Sequence, residues 1–269
     1  MGRRAVVFAS SKGGAGKSFC AHAFLTIARR AERKVAAFDL DGGTSSLAIL
    51  HGDRDPEVGV AIEDVRDEYA KGAWIDAFHG GADDVLLDVP GGAFEYLVRW
   101  FAGGAPSLVA EAKAANRELV IASVIGIKRD SIATVQQMVE RFGGSVRHVV
   151  VRNEFFGQRP EDWIIFDGEP APTAEDPNAR RFGKTSALVR EVGGEIVALP
   201  RLPAATDAIL EFHGLSFTDG ASALEAIGRR HSSNVRYWLD SVEEAFANSW
   251  LRASDREEVK TRGRRVAAG

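Results

Sequence analysis

Short apolar, β-branched runs alternate with amphipathic stretches along most of the chain. The runs are Ala5–Ala9, Val35–Leu40, Val85–Val89, Glu118–Ile125, Val146–Val151 and Glu195–Leu199. Between them, helical patterns occupy Ser18–Glu32, Phe94–Phe101, Ser131–Phe142 and Ala204–Phe212. Strand–helix alternation at this spacing predicts an α/β fold, a mostly parallel twisted sheet with helices on both faces. Ser131 after Asp130 opens one helical run and Gly143-Gly144 closes it. Residues 154–183 break the rhythm with Pro160, Pro170, Pro172 and Pro177 among several acids, and read as an inserted excursion or lid. From about Asp219 one or two helices follow, then a polar tail over 252–269. No repeat interrupts this order, so residues 1–269 are expected to form a single domain.

Composition narrows the chemistry. With 269 residues, 45% hydrophobic and 27% charged, the chain is globular rather than disordered. A single cysteine, Cys20, excludes a disulfide framework and any zinc site built from several thiolates. Cys20 itself reads as a small buried hydrophobe. The apolar runs are too short to span a membrane, and a strand by residue 5 leaves no room for a signal peptide. A cytoplasmic location is expected. The net charge of −4 leaves only a local patch for any nucleic-acid contact. The six histidines show no metal-ligand spacing. Gly183-Lys184-Thr185-Ser186 ends like a phosphate loop, but no strand precedes it and a helix start is the simpler reading.

The first strand runs into Ser10-Ser11-Lys12-Gly13-Gly14-Ala15-Gly16-Lys17-Ser18. Glycines let a backbone wrap phosphates with its N–H groups turned inward, and the helix starting near Lys17 adds its positive end. Lys17 reaches the β- and γ-phosphates and the Ser18 hydroxyl ligates Mg²⁺ in such a loop. The strict P-loop pattern fails at Ser11, where its first glycine belongs; a second lysine, Lys12, stands beside it. Phe38-Asp39-Leu40-Asp41 and Val85-Leu86-Leu87-Asp88-Val89-Pro90-Gly91-Gly92 are apolar strands that end in acids. An acid there faces the crevice in which open α/β sheets bind ligands.

Together these segments resemble the deviant Walker A P-loop ATPases of the ParA/MinD family, from about residue 4 to residue 217, with ParA-like partition ATPases nearest. The resemblance implies ATP and Mg²⁺ as cofactors. Gly13, Gly14, Ala15, Gly16, Lys17, Ser18 and Phe19 would hold the nucleotide, with Lys17 acting in cis and Lys12 reaching the partner's phosphates across an ATP-sandwiched homodimer. Asp41 would position the attacking water. Ser18, Asp39 and Asp88 would form the metal shell, Asp88 through water, with Pro90-Gly91-Gly92 as the γ-phosphate switch. Where the family often continues with Pro-Gln, this chain has Gly42-Gly43. Val149–Asn153 resembles the strand whose terminal asparagine bonds adenine, and Pro200-Arg201 the loop flanking the base.

The resemblance leaves the biological task open. One cysteine cannot hold the cluster of a nitrogenase-type iron protein, the scattered tyrosines do not suit a tyrosine kinase, and the tail is too polar for a membrane-targeting helix, so no membrane partner is expected. Segregation of plasmid, chromosome or other DNA cargo is the leading expectation, with weak ATP hydrolysis stimulated by an activating protein. Arg229, Arg230 and Arg236 would contact nonspecific DNA, and the protein would then be nucleoid-associated. Alternatives are a ParA-like ATPase that acts on a protein partner in conjugative transfer or cellular positioning, and a small-molecule ligase or kinase of the dethiobiotin-synthetase type.

Overall fold

The structure, a computed structural model, describes residues 2–10, 13–42, 46–52, 55–70, 72–174, 176, 179–181 and 183–253. Nine strands occur among them: β1 (Arg4–Ala9), β2 (Val35–Asp39), β3 (Ala61–Ile62), β4 (Asp84–Asp88), β5 (Glu118–Ile125), β6 (Arg147–Asn153), β7 (Glu169–Pro170), β8 (Arg180–Arg181) and β9 (Glu195–Leu199). The helices are α1 (Lys17–Arg30), α2 (Ser46–His51), α3 (Ala73–His79), α4 (Phe94–Arg99), α5 (Ala105–Ala114), α6 (Arg129–Phe142), α7 (Ile164–Asp167), α8 (Thr185–Glu191), α9 (Ala204–His213), α10 (Phe217–Ser222) and α11 (Leu224–Phe246).

Seven strands form one sheet in the order β3-β2-β4-β1-β5-β6-β9. Every pairing in it is parallel. Side chains alternate across the central strand, as the two-residue period of a strand requires. Val6 and Phe8 join the core under α1, α9, α10 and α11, whereas Ala5, Val7 and Ala9 join the core under α3, α4 and α5. All six expected strands are present. The first starts one residue early because Arg4, which sequence alone assigns to a polar flank, is buried against Asp84.

The described residues of 154–183 fold onto the body. They contribute α7 and the antiparallel hairpin of β7 and β8. Trp163 and Phe166 are buried in a third apolar cluster with Ile125 of β5, Ile132 and Val135 of α6, and Val189 of α8. The expected tail boundary needs correction. Leu251 is fully buried, and the Arg4 guanidinium donates to the carbonyls of Trp250 and Arg252 at 2.6 and 2.9 Å. The body therefore continues to Ala253, and the rest of the polar tail lies outside the described residues.

Candidate nucleotide site

The glycine loop leaves β1 and enters α1 at the C-terminal edge of the sheet, between β4 and β5. Gly14 and Gly16 adopt φ of 91° and 81°, a left-handed backbone that side chains resist. A Cβ on Gly13 or Gly14 would meet nothing within 4 Å, so this stretch of backbone is open to an approaching group. Gly16 differs: a Cβ there would overlap the Asn153 amide.

Three expected residues converge beneath the loop. Lys17 Nζ donates to Asp88 Oδ1 and lies 3.2 Å from Ser18 Oγ. Asp39 is the register partner of Asp88 across β2 and β4, which sets two buried carboxylates side by side. Burial raises the Asp39 carboxyl to about 6, Asp88 adds to the rise, and the Asp41 N–H and Lys17 oppose it. Asp39 Oδ1 accepts from Asp41 N and Oδ2 from Leu47 N, each at 3.1 Å. Hard oxygens from Ser18, Asp39 and Asp88 are the donor type Mg²⁺ takes. No group of three or more His, Cys, Asp or Glu among the described residues could hold a metal.

Asp41 is partly exposed, and its Oδ1 lies 3.4 Å from Arg66 NH1, which is equally distant from Asp64 Oδ1. Asp64 also explains Gly42: a Cβ on Gly42 would stand 2.8 Å from Asp64 Cβ. The loop after β3 is bonded to the acidic strand end, with Glu63 N on Asp39 O and Val65 N on Leu40 O. Asp64 and Arg66 were missed from sequence, since nothing in a two-residue edge strand marks its loop as a neighbour of Asp41. The loop after β4 reaches the glycine loop too, through Gly92 N on Ser10 O at 3.0 Å.

Gly14, Gly16, Phe19, Asn153, Pro200 and Arg201 share one cavity of about 250 Å³. The Asn153 side chain is already engaged, donating to Ala15 O at 3.0 Å and accepting from Phe155 N at 3.1 Å. It braces the glycine loop and lines this cavity with Pro200 and Arg201. Trp238 Nε1 on Pro200 O, at 2.8 Å, fixes the Pro-Arg loop. The Phe19 ring packs on Phe217 and Trp238, tying α1 to the C-terminal helices. A second cavity of about 350 Å³ joins Gly13, Gly14 and Ala15 to Lys128, Ser131 and Phe156. Neither Trp238 nor the Lys128–Ser131 turn carries a motif that could have pointed to it.

Lys12 lies outside the described residues. Arg229, Arg230 and Arg236 are exposed on α11, but Arg236 donates to Ala221 O and Ser233 Oγ. Cys20 is fully buried, and burial pushes its thiol well above the ordinary range. The Gly183–Ser186 segment opens α8. No helix among the described residues is long and apolar enough to cross a membrane.

The sequence profile of the CobQ/CobB/MinD/ParA nucleotide binding domain matches residues 6–196. No curated protein matches the chain. Among solved structures, a ParA family ATPase from Chlorobium tepidum is 13% identical with a TM-score of 0.46, the match covering 88% of this chain and 98% of that one. The septum site-determining protein MinD from Pyrococcus horikoshii, complexed with Mg-ADP, is 14% identical with a TM-score of 0.45, over 89% and 96% of the two chains. A putative plasmid partition protein from Borrelia burgdorferi, bound to AMPPNP, is 12% identical with a TM-score of 0.43, over 72% and 98%.

Proposed function

Because the chain belongs to the CobQ/CobB/MinD/ParA nucleotide binding domain family, we propose that it is an ATP-dependent dimerisation switch, one ATPase domain over residues 1–269, that positions or segregates DNA cargo. Lys17, Ser18 and Asp88 meeting beneath a loop whose Gly13 and Gly14 are open carry this assignment. Bound ATP with Mg²⁺ supplies the scissile phosphoanhydride and its charge neutralisation. Gly13, Gly14, Ala15 and Gly16 present backbone to the phosphates, and Lys17 leaves Asp88 for a phosphate oxygen. Ser18, Asp39 and Asp88 would hold the metal, Asp88 through water. Asp41 orients the water, and Lys12 reaches across to the second subunit. Phe19, Pro200 and Arg201 wall the base cavity.

Differential affinity of the ATP and ADP states for a surface would turn hydrolysis into movement. Exposed Arg229 and Arg230, with Arg236 two turns further on, supply a nonspecific DNA contact of the kind that counterion release makes salt-sensitive. The packing of Trp163 and Phe166 from the 154–183 segment onto the body favours a second reading in which that segment docks an activating protein. The protein would work in the cytoplasm, at the nucleoid in the DNA reading.

The test is a gel shift of nonspecific duplex with ATP, ADP or no nucleotide at two salt concentrations, beside sedimentation of the protein alone. An ATP-dependent, salt-sensitive shift with ATP-driven dimers is expected, and Lys12→Ala should bind nucleotide yet stay monomeric. Dimers without a shift would transfer the assignment to a protein partner. An unchanged dimer in Lys12→Ala would remove the trans role of that lysine.

A further inference from the structure

A cavity of about 600 Å³ lies among α1, α2, α10 and α11, walled by Thr26, Arg29, Arg30, His51, Asp219 and Arg236. None of these residues lines either cavity at the glycine loop. Its volume falls within the range of small-molecule sites.

The wall is unbalanced in charge, with three guanidiniums against the single carboxylate of Asp219. Asp219 is itself occupied, accepting the Ser216 hydroxyl at 2.6 Å. Among the described residues, Arg29 donates to the carbonyls of Val35, Pro56 and Gly59. Arg236 likewise faces the Ala221 carbonyl and the Ser233 hydroxyl. Both therefore keep a positive charge opposite neutral acceptors. Arg30 alone of the three meets carboxylates, Asp240 and Glu243.

Two buried polar atoms of the same wall have no hydrogen-bond partner among the described residues: Thr26 Oγ1, in a residue only 3% exposed, and His51 Nε2. Native proteins pair nearly all such atoms, since an orphaned buried polar group is costly. The His51 ring sits edge-on to His22, 4.9 Å away, and His22 stacks on Phe217. Burial and the Arg29 charge bring the His51 imidazole down to about 4, so it is neutral at physiological pH and can either donate or accept. Leu50, Ala221 and Leu239 add an apolar part to the wall, and Ser216 and Thr218 complete it.

We propose that this cavity binds a small organic anion, a single carboxylate or phosphate group on a compact apolar body. The guanidiniums receive the anionic oxygens, Thr26 and His51 gain their missing hydrogen bonds, and Leu50 and Leu239 take the body. His51 ends α2, whose Leu47 N–H bonds Asp39. One helix thus joins this cavity to the acidic strand end, although the site itself does not depend on how the nucleotide site works.

The experiment is calorimetric titration of the full nucleotide-free chain with benzoate, phenyl phosphate and inorganic phosphate. Saturable binding of at least one of the two aromatic anions is expected, with inorganic phosphate weaker and an excess of ATP leaving the affinity unchanged. Thr26→Val removes an orphan hydroxyl at constant shape, and Arg236→Gln alters an exposed side chain, so both variants should fold. Each should weaken binding about tenfold, the scale of one charge-assisted or buried hydrogen bond. The site is refuted if none of the three anions binds at about 20 mM, far weaker than a millimolar site. Competition by ATP, or unchanged affinity in both variants, would also refute it.

Discussion

Asn153 and Gly16 are fitted to one another: the amide that ends β6 donates to the Ala15 carbonyl at 3.0 Å, and it occupies the space a Cβ on Gly16 would need. The two residues are far apart in sequence, and their contact is what presses the glycine loop onto the sheet. It is also why the left-handed backbone at Gly16 is held rather than merely tolerated.

Gly16→Ala should therefore fail twice. A side chain at φ of 81° costs about 1–3 kcal/mol, and displacing Asn153 costs roughly one hydrogen bond more. Adding Asn153→Ala relieves the overlap but leaves the backbone cost. Urea denaturation of both singles and the double should give a loss clearly smaller than the sum. Strictly additive losses would mean that the two residues are not in contact.

Asp39 sets a pH dependence with a definite sign. Its folded value of about 6 lies above the ordinary carboxylate value, so its contribution to stability is fully present below about pH 4 and is lost as pH rises through 6. The shift of about two units corresponds to about 3 kcal/mol. Against Asp39→Asn, the wild type should lose about that much between pH 4 and pH 7, read from urea midpoints at fixed ionic strength. Parallel profiles would show that Asp39 is not held near Asp88 in a desolvated site. Turnover should also fall sharply in Asp39→Asn.

The strands could be read from sequence because each sheet strand other than β3 is built on a short apolar run, largely buried in all but the half-buried edge strand β9. The P-loop could be read because its glycines, Lys17 and Ser18 are adjacent in sequence. The helices α3 and α5 escaped notice: Ala105–Ala114 is rich in alanine and carries only a faint apolar stripe. The same holds for contacts between distant segments. Arg4 sits in a core because Asp84 waits eighty residues on, Asn153 braces Ala15, and Trp238 holds Pro200. A chain read in order has no signal for such pairings. Polar residues that end up buried are read as surface until their partners are known.

In the proposed ATPase reaction, Arg66 is expected to act through Asp41. Its guanidinium lies 3.4 Å from both Asp41 and Asp64 and is more than a third exposed, so the ion pair adds less than about 1 kcal/mol to stability. Arg66→Ala should melt within a degree or two of wild type, as its small stability term implies. Its kcat should fall about tenfold with little change in KM, less than the ~10²–10⁴ lost with a catalytic base itself. Arg66→Lys should recover part of the rate. An unchanged kcat in Arg66→Ala would remove Arg66 from the hydrolytic machinery.

Asp84 holds the opposite end of the central strands and should be the most damaging surface-distant carboxylate to remove. It is fully buried and takes four charged hydrogen bonds, two from Arg4 at 2.7 and 2.6 Å and two from Arg33 at 2.7 and 2.9 Å. Burial alone would raise its pKa, but the hydrogen bonds and charges of the two arginines hold it below the usual range. Stability from this group is thus present above about pH 4 and is lost as pH falls further. Asp84→Ala leaves the 3%-exposed Arg4 without its carboxylate and should cost about 3–5 kcal/mol. Arg33→Ala leaves the Arg4 pair intact and should cost less, about 1.5–3 kcal/mol for the lost charged bonds. Because Arg4 also holds the Trp250 and Arg252 carbonyls, Asp84→Ala should speed hydrogen exchange at residues 249–253 before the rest of the chain. Equal losses in the two variants, with no local exchange at 249–253, would show that Arg4 is anchored by something other than Asp84.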